Sequence, residues 1–294
     1  MVTFNRRLPR FNYVKPKSLG EALDLLKDNK SGSIQVYAGG TDVIPRLKAR
    51  LIAAPKFLVD LKGISGLDYI EYNKAKGLRI GALATVSAVI QHRGVRERFG
   101  VLFQGANSIA STQVQNRGTI AGNLCNGVPS ADSAPALFCL GAKLICVSHR
   151  GERSIDVADF ITGPRKTILE SDELLKEICV PDMPVGGRGA YIKLSTRTRM
   201  DLALIGVAVV VVVMDGVFRD VRIGLGGAAP TPIRAKRAEG MLLGEKVGEN
   251  IIVEAGRIAA EESSPRTSHR ASAEYRRLMV EVLVKRALVQ ALKV

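Results

Sequence analysis

The residues from Arg117 to Leu140 read RGTIAGNLCNGVPSADSAPALFCL. Small residues, amides and hydroxyls follow one another there with almost no bulk. Gly118, Gly122 and Gly127 allow tight backbone paths and close approach of a ligand. Thr119, Asn123, Asn126, Ser130 and Ser133 supply donors and acceptors, and Asp132 supplies one acceptor-only carboxylate. Such a run suits a multi-ring or phosphorylated ligand laid along exposed backbone N–H groups, which form concavities for anions. Glycine-rich polar runs are also common as plain surface loops. On its own the stretch leaves both readings open, and in either it reads as a loop, with a short apolar segment over 136–140.

A second stretch bears on the choice. Ile34-Gln35-Val36-Tyr37-Ala38-Gly39-Gly40-Thr41-Asp42-Val43 reads as a short strand entering a Gly-Gly turn. A plain hairpin would use the same pair. No Gly-Lys-Ser/Thr follows, as a nucleotide phosphate loop requires. The Gly-x-Gly-x-x-Gly of a dinucleotide fold is also missing.

Ala38-Gly39-Gly40-Thr41-Asp42, then Gly118-Thr119-Ile120-Ala121-Gly122-Asn123 with Asp132 nine residues after the Asn, resembles the FAD-binding medium subunit of the molybdenum hydroxylases. That is the xanthine dehydrogenase and carbon monoxide dehydrogenase type. The resemblance spans nearly the whole chain. It includes Phe11-Asn12-Tyr13-Val14-Lys15-Pro16, the segment from Tyr191 to Arg197, and the closing Arg270-Ala271-Ser272-Ala273-Glu274-Tyr275-Arg276-Arg277.

The resemblance implies an α+β chain. A two-part FAD-binding domain of the vanillyl-alcohol-oxidase/PCMH type is expected over residues 1–181, with subdomains at about 1–60 and 61–181. A C-terminal domain of the carbon monoxide dehydrogenase flavoprotein type, an antiparallel sheet with three helices, is expected over 182–294. It implies noncovalent FAD, with Gly39, Gly40, Thr41 and Asp42 at the pyrophosphate and Tyr37, Ala38 and Val43 alongside. The carboxylate of Asp42 is expected to turn away from the phosphates. Thr119, Gly122 and Asn123 would line the far side, and Asn126 and Asp132 would hydrogen-bond the flavin or ribityl region. Leu175 matches an apolar position near the flavin or adenine. Lys193 matches a lysine near the flavin, where a cation stabilises a reduced, anionic ring. Ile109 stands where animal xanthine enzymes place a Phe on the flavin, so aromatic stacking is not expected on that face. Asp201 fits the pattern, and fits equally an ion pair with Arg197 or Arg199. The run Ser264-Pro265-Arg266-Thr267-Ser268 departs from many members, which carry an Asp ahead of the Arg-Ala-Ser.

FAD carries its own redox chemistry, so the protein's task is to bind, orient and tune it, and no catalytic side chain is expected. The resemblance further implies a large molybdopterin-binding subunit that hydroxylates substrate and a small 2Fe-2S subunit that passes electrons on, in a dimer of heterotrimers. NAD+ or another acceptor would take the electrons. Cys125, Cys139, Cys146 and Cys179 show no C-x-x-C pair, so this chain offers neither cluster nor metal spacing. They read as buried thiols, with Cys125, inside the Gly-rich run, the one to watch.

Composition sets outer bounds. The chain has 294 residues and is 46% hydrophobic, enough for two domains with real cores. The N-terminus lacks the apolar core of a signal peptide. The most apolar run, 202–214, falls short of a membrane span and reads as a buried strand. The expected setting is cytoplasmic. Net charge is +15, but aromatics are 5% and Trp is absent, so stacking platforms for single strands are scarce. No nucleic-acid-binding motif is present, and a dianionic cofactor with acidic partners would use the same charge. Two rivals remain: a self-sufficient flavin oxidoreductase of the same broad fold, and a basic nucleic-acid-binding module. The first needs substrate-handling acids or a flavin-linking His. His92, His149 and His269 all lie outside the Gly-rich stretches and read as solvated residues.

Along the chain, Ser18-Leu19-Gly20-Glu21 is a capping box for a helix running to about Asn29 and stopped by 31–33. Strands are expected at 34–37, 57–61, 67–72, 78–81, 143–147 and 173–180. Helices are expected at 43–50, 85–92, 103–111 and 157–160. Pro181 to Gly189 has linker composition. Strands at 190–195, 203–214 and 217–225 follow, the last two joined by a tight Asp215-Gly216 turn. Thr231-Pro232 reads as opening a helix through Leu243, stopped at Gly244. Helices over 251–262 and 272–292 close the chain. Arg276, Arg277, Lys285 and Arg286 on the last one are a candidate surface for an acidic partner.

Overall fold

The computed structural model describes residues 7–27, 29 and 33–293. The reading of the first six residues and the helix stop at 31–32 lie outside the described residues. The chain begins with β1 (Asn12–Val14), α1 (Leu19–Leu26), β2 (Ile34–Tyr37), α2 (Val43–Lys48) and β3 (Phe57–Asp60). The three strands form a parallel sheet in the order β1-β3-β2. Ser18 Oγ accepts from Glu21 N and caps α1. The Glu21 carboxylate accepts from Lys17 N at 2.8 Å, one residue earlier than the capping box predicts. Ala22, Leu23 and Leu26 bury the inner stripe.

A 3-10 turn (Leu61–Gly63) leads to the middle region: β4 (Ile70–Asn73), β5 (Gly77–Gly81), α3 (Val86–Gln91), α4 (Arg93–Arg98), α5 (Gly100–Asn107), α6 (Thr112–Gln115), α7 (Ile120–Cys125) and α8 (Ser133–Leu140). Then come β6 (Lys143–Ser148), β7 (Gly151–Asp156), α9 (Val157–Phe160), the small hairpin of β8 (Ile161–Gly163) and β9 (Lys166–Thr167), and β10 (Leu174–Val180). An antiparallel sheet runs β4-β5-β10-β6-β7. Several expectations change here. The helix expected at 103–111 starts earlier and ends at Asn107. More importantly, 117–140 is two helices around a turn, not a loop. Thr119 Oγ accepts from Gly122 N at 2.9 Å and opens α7, and Gly141, at φ 64°, ends α8. All eight residues of α8 are buried. His92 sits at a helix end as expected and is half-buried, its Nδ1 shielded and without a partner.

The last part contains β11 (Gly187–Leu194), β12 (Ile205–Met214), β13 (Val217–Gly226), β14 (Ile233–Arg234), α10 (Lys236–Leu242), α11 (Glu249–Glu262) and α12 (Ala273–Lys293). Its four-stranded antiparallel sheet runs in chain order. Asp215 and Gly216 both have positive φ, 52° and 70°, the mirror-image turn that matches strand twist. Thr231-Pro232 does not open a helix; it precedes the short edge strand β14, and the helix begins at Lys236. Leu283, Val284, Ala287 and Leu288 of α12 pack on the sheet, whose other face meets α5 and α8. There Cys139 Sγ donates to the Ala208 carbonyl at 3.3 Å. A Cβ on Gly224 would stand 2.4 Å from the Pro135 carbonyl oxygen, so strand and helix touch backbone to backbone. Mixed helix and antiparallel sheet, with a sheet-plus-three-helices C-terminal part, agree with the α+β expectation.

Candidate functional site

The two Gly-rich stretches meet. A Cβ on Gly39 would lie 2.0 Å from the Arg117 carbonyl oxygen and 2.8 Å from Gly118 Cα, so the β2–α2 turn rests directly on the start of the second stretch. Gly40 has φ 76°, and a Cβ there would meet the Tyr37 ring at 3.1 Å and Ile44 at 3.2 Å. Among the described residues, no hydrogen bond uses the N–H groups of Gly40, Thr41, Asp42 or Val43. Four adjacent unpaired N–H groups form a ready concavity for an anion.

The turn is held from behind. Asp60 Oδ2 accepts from the hydroxyls of Tyr13 at 2.7 Å and Tyr37 at 3.0 Å, and its Oδ1 accepts from Lys62 Nζ at 2.6 Å. Lys62 Nζ also donates to the Ala38 carbonyl at 2.9 Å and lies 4.1 Å from the Tyr37 ring centre. Burial favours the neutral acid at Asp60, yet bonds from Lys62 and Tyr13 outweigh it and hold the pKa below the ordinary carboxylate value.

A cleft of about 620 Å³ opens in front of this turn, within the 300–1,000 Å³ usual for a small-molecule site. Tyr37, Ala38, Gly39, Gly40, Thr41, Asp42 and Val43 line one wall. Thr119, Gly122, Asn123, Asn126 and Asp132 line the opposite one, and Ile109 and Leu175 add apolar surface. Lys193 stands behind the wall. Its Nζ donates to Asp132 Oδ2 at 2.8 Å and to the Ser108 carbonyl at 3.0 Å. Asp132 also accepts from Tyr191 Oη at 2.9 Å. Burial pushes the Asp132 pKa up, with Lys193 and Tyr191 acting against that shift.

Other side chains are committed in ways the sequence does not announce. Asn126 Nδ2 donates to Asp42 Oδ1 at 2.8 Å, and its Oδ1 accepts from Arg165 Nη1 at 3.1 Å. This ties the two stretches together and turns the Asp42 carboxylate toward Asn126. Asn123 Oδ1 accepts from Ser133 Oγ at 2.6 Å. Asp201 does not pair with Arg197 or Arg199; it accepts from Thr196 N, Thr196 Oγ1 and Arg197 N on one oxygen and from Leu202 N on the other. Cys125 lines the cleft and is exposed.

Two cations at the cleft were not anticipated. Arg46 sits one helical turn beyond Asp42, on α2, and Arg165 projects from the β8–β9 turn at φ 62°. Burial and then the charge of Arg165 lower the Arg46 pKa, with Asp42 opposing. Two guanidiniums held near one another beside free N–H groups suit a doubly charged phosphate ligand. Spacing from the Gly-Gly-Thr-Asp turn was enough to find Arg46. No local signal marks Arg165. Among the described residues no cluster of three or more His, Cys, Asp or Glu could hold a metal, and no helix is long and apolar enough to cross a membrane.

The family described as the FAD binding domain in molybdopterin dehydrogenase matches residues 9–183, and the CO dehydrogenase flavoprotein C-terminal domain matches 190–291. The chain is 31% identical to the glyceraldehyde dehydrogenase medium chain of Sulfolobus acidocaldarius, over 95% of this chain and 97% of that one. It is 33% identical to a xanthine dehydrogenase FAD-binding subunit of Escherichia coli, over 95% of each. Among solved structures, carbon monoxide dehydrogenase from Hydrogenophaga pseudoflava lacking the Mo-pyranopterin moiety superposes with a TM-score of 0.93 at 34% identity, covering 98% of this chain and 99% of that one.

Proposed function

The chain belongs to the family of FAD-binding medium subunits of the molybdenum hydroxylases, and from that premise we propose that it is the electron-relay subunit between partner 2Fe-2S clusters and a final acceptor, NAD+ or another. Its relatives are oxidoreductase subunits of heteromeric complexes. The observation that carries the reading is the cleft itself, an anion cradle at one end and apolar surface with a buried Asp–Lys pair at the other. When bound, FAD supplies the exchange of electrons; this chain's residues bind, orient and shield it.

The roles proposed for the residues follow from their places. The N–H groups of Gly40, Thr41, Asp42 and Val43, with Arg46 and Arg165, hold the pyrophosphate, while Gly39 lets the walls close on one another. Thr119, Gly122 and Asn123 face it across the cleft. Asn126 fixes the turn through Asp42 in place of the flavin contact expected of it. Ile109 and Leu175 exclude water from the ring system. Lys193 acts through Asp132, keeping a fixed dipole behind the flavin. FAD is noncovalent, because His92, His149 and His269 do not line the cleft. A large molybdopterin-binding subunit and a small 2Fe-2S subunit complete a cytoplasmic dimer of heterotrimers. The chain divides into residues 1–181 and 182–294, the two halves meeting along α5 and α8.

The test is release of the flavin. Acid or heat precipitation of purified yellow protein is expected to leave all colour in the supernatant, as FAD. Colour retained on the pellet contradicts the noncovalent reading and directs attention to Cys125. FMN in the supernatant contradicts the pyrophosphate cradle.

A further inference from the structure

The first turn of α12 holds a charge that the fold leaves without a counter-ion. Arg276, read from the sequence as part of a surface, is buried, with 6% of its area exposed. One Nη donates to the Leu204 carbonyl and the other to Ser268 Oγ at 3.0 Å, while Nε is buried with no acceptor. Both acceptors are neutral. Among the described residues, Arg276, Arg266 and Arg270 form no ion pair. The acids closest in sequence on α11 are engaged elsewhere: Glu261 with Arg237 and Arg257, and Glu262 with the N–H groups of Arg237 and Ala238. Glu274, exposed in the same turn, pairs with none of the three. Burial, then repulsion from Arg266 and Arg270, lowers the Arg276 pKa. The positive end of a 21-residue helix adds to the same field. A buried, unneutralised cation in such surroundings is strongly unfavourable unless an anion completes the site.

The donors present define that anion. Ser268 Oγ accepts from Arg276 and from Arg270 N at 3.2 Å, so its own proton is free to be donated. Arg266 and Arg270 are exposed, and both lie close enough for their charges to act on Arg276. A single carboxylate would neutralise one of three cations, whereas a doubly charged tetrahedral oxyanion neutralises two and has acceptors enough to bond all three. We propose that residues 266–276 form a binding site for a phosphate group, separate from the flavin cleft, with Arg276 as its buried anchor, Ser268 as a donor and Arg266 and Arg270 as its outer arms.

The source is either inorganic phosphate or the phosphate of a nucleotide, and titration separates them. The protein is used saturated with FAD and freed of unbound FAD, so that neither the flavin cleft nor free dinucleotide competes. Inorganic phosphate is expected to bind saturably, once per chain, and to raise the thermal midpoint, while chloride at matched ionic strength does neither. ADP binding more tightly than inorganic phosphate assigns the nucleotide; equal or weaker binding assigns the free ion. Arg276→Met is expected to abolish binding. Should that variant fail to fold, the double variant Arg266→Gln/Arg270→Gln, altered only at exposed side chains, is expected to weaken binding by about tenfold or more, the loss expected from charge-assisted bonds. Absence of saturable phosphate binding, or binding unchanged in the double variant, overturns the proposal.

Discussion

At the scale of the residue, the geometry of the cleft constrains a few positions tightly. Gly40 combines positive φ with a Tyr37 ring and an Ile44 side chain at the distance of a Cβ. Gly40→Val is expected to leave a monodisperse protein with almost no flavin, read from the absorbance of the purified chain; full occupancy would sink the assignment of this turn. Arg46→Gln removes one cation from the same end. It is expected to weaken FAD binding roughly 10- to 100-fold, the value of one or two charge-assisted contacts, measured by equilibrium titration of the apoprotein. Lys193→Met leaves Asp132 buried without its cation, and the chain is expected to lose about 3–5 kcal/mol of stability in urea unfolding. Adding Asp132→Asn should restore much of it. Gly39 and Gly40 were legible in the sequence as a tight turn, but the seating of that turn on Arg117 and Gly118 was not. Arg165 was not, since it arrives from a distant hairpin turn. Lys193 was recognised as a cation near the site, but its commitment to Asp132 is a fact of packing that no spacing reveals.

At the scale of the element, the legible parts were those with strong local grammar. Ser18 and Thr85 each cap the helix they were expected to cap, and Asp215-Gly216 turns the hairpin its sequence names. The run 117–140 misled because Gly and Asn are poor helix formers in isolation. Burial of α8 on all sides and the Thr119 cap on α7 override that preference. The strand β7 was missed because Gly151 to Asp156 is polar and mostly exposed, with Ile155 its buried side chain. Thr231-Pro232 resembled a helix start, but its proline precedes an edge strand instead, where a missing N–H costs little. One pairing between elements is open to direct test. Glu177 on β10 is buried and accepts two bonds from Arg79 on β5, at 2.9 and 2.6 Å, and one from Tyr69. Burial favours the neutral acid, yet bonds from Arg79, Cys179 and Tyr69 prevail and hold its pKa at about 2. The folded value lies below the unfolded one, so the stabilisation is complete above the ordinary carboxylate range and fades as pH falls toward 2. The urea midpoint of the native chain should exceed that of Glu177→Gln at neutral pH, and the gap should shrink steadily below about pH 4.5. A gap that stays constant down to pH 3 would argue against the ion pair.

At the scale of the whole molecule, the electron-relay role proposed above requires that other chains supply the electrons. Co-expression with partner subunits is expected to yield a complex containing iron, molybdenum and flavin in which substrate bleaches the flavin. The chain alone, loaded with FAD, should show at most slow oxidation of NADH by artificial acceptors. Turnover of a small organic substrate by the isolated chain at ordinary enzymatic rates, on the order of 1–10³ s⁻¹, would favour the self-sufficient flavoenzyme instead. The Pro- and Gly-rich segment after Val180 reads as a linker in the sequence, but no local signal reveals the bonds that cross it. Asp132, in the cleft wall, is bonded to Tyr191 and Lys193 of β11, and β11 pairs with β12, which the last helix covers. During synthesis both walls of the cleft emerge from the ribosome before residue 180, whereas the strands and last helix that hold Asp132 in place follow only afterwards. Stable cofactor capture is therefore expected only once those supports are made, and a nascent chain stalled near residue 185 should leave the ribosome colourless, however much FAD surrounds it.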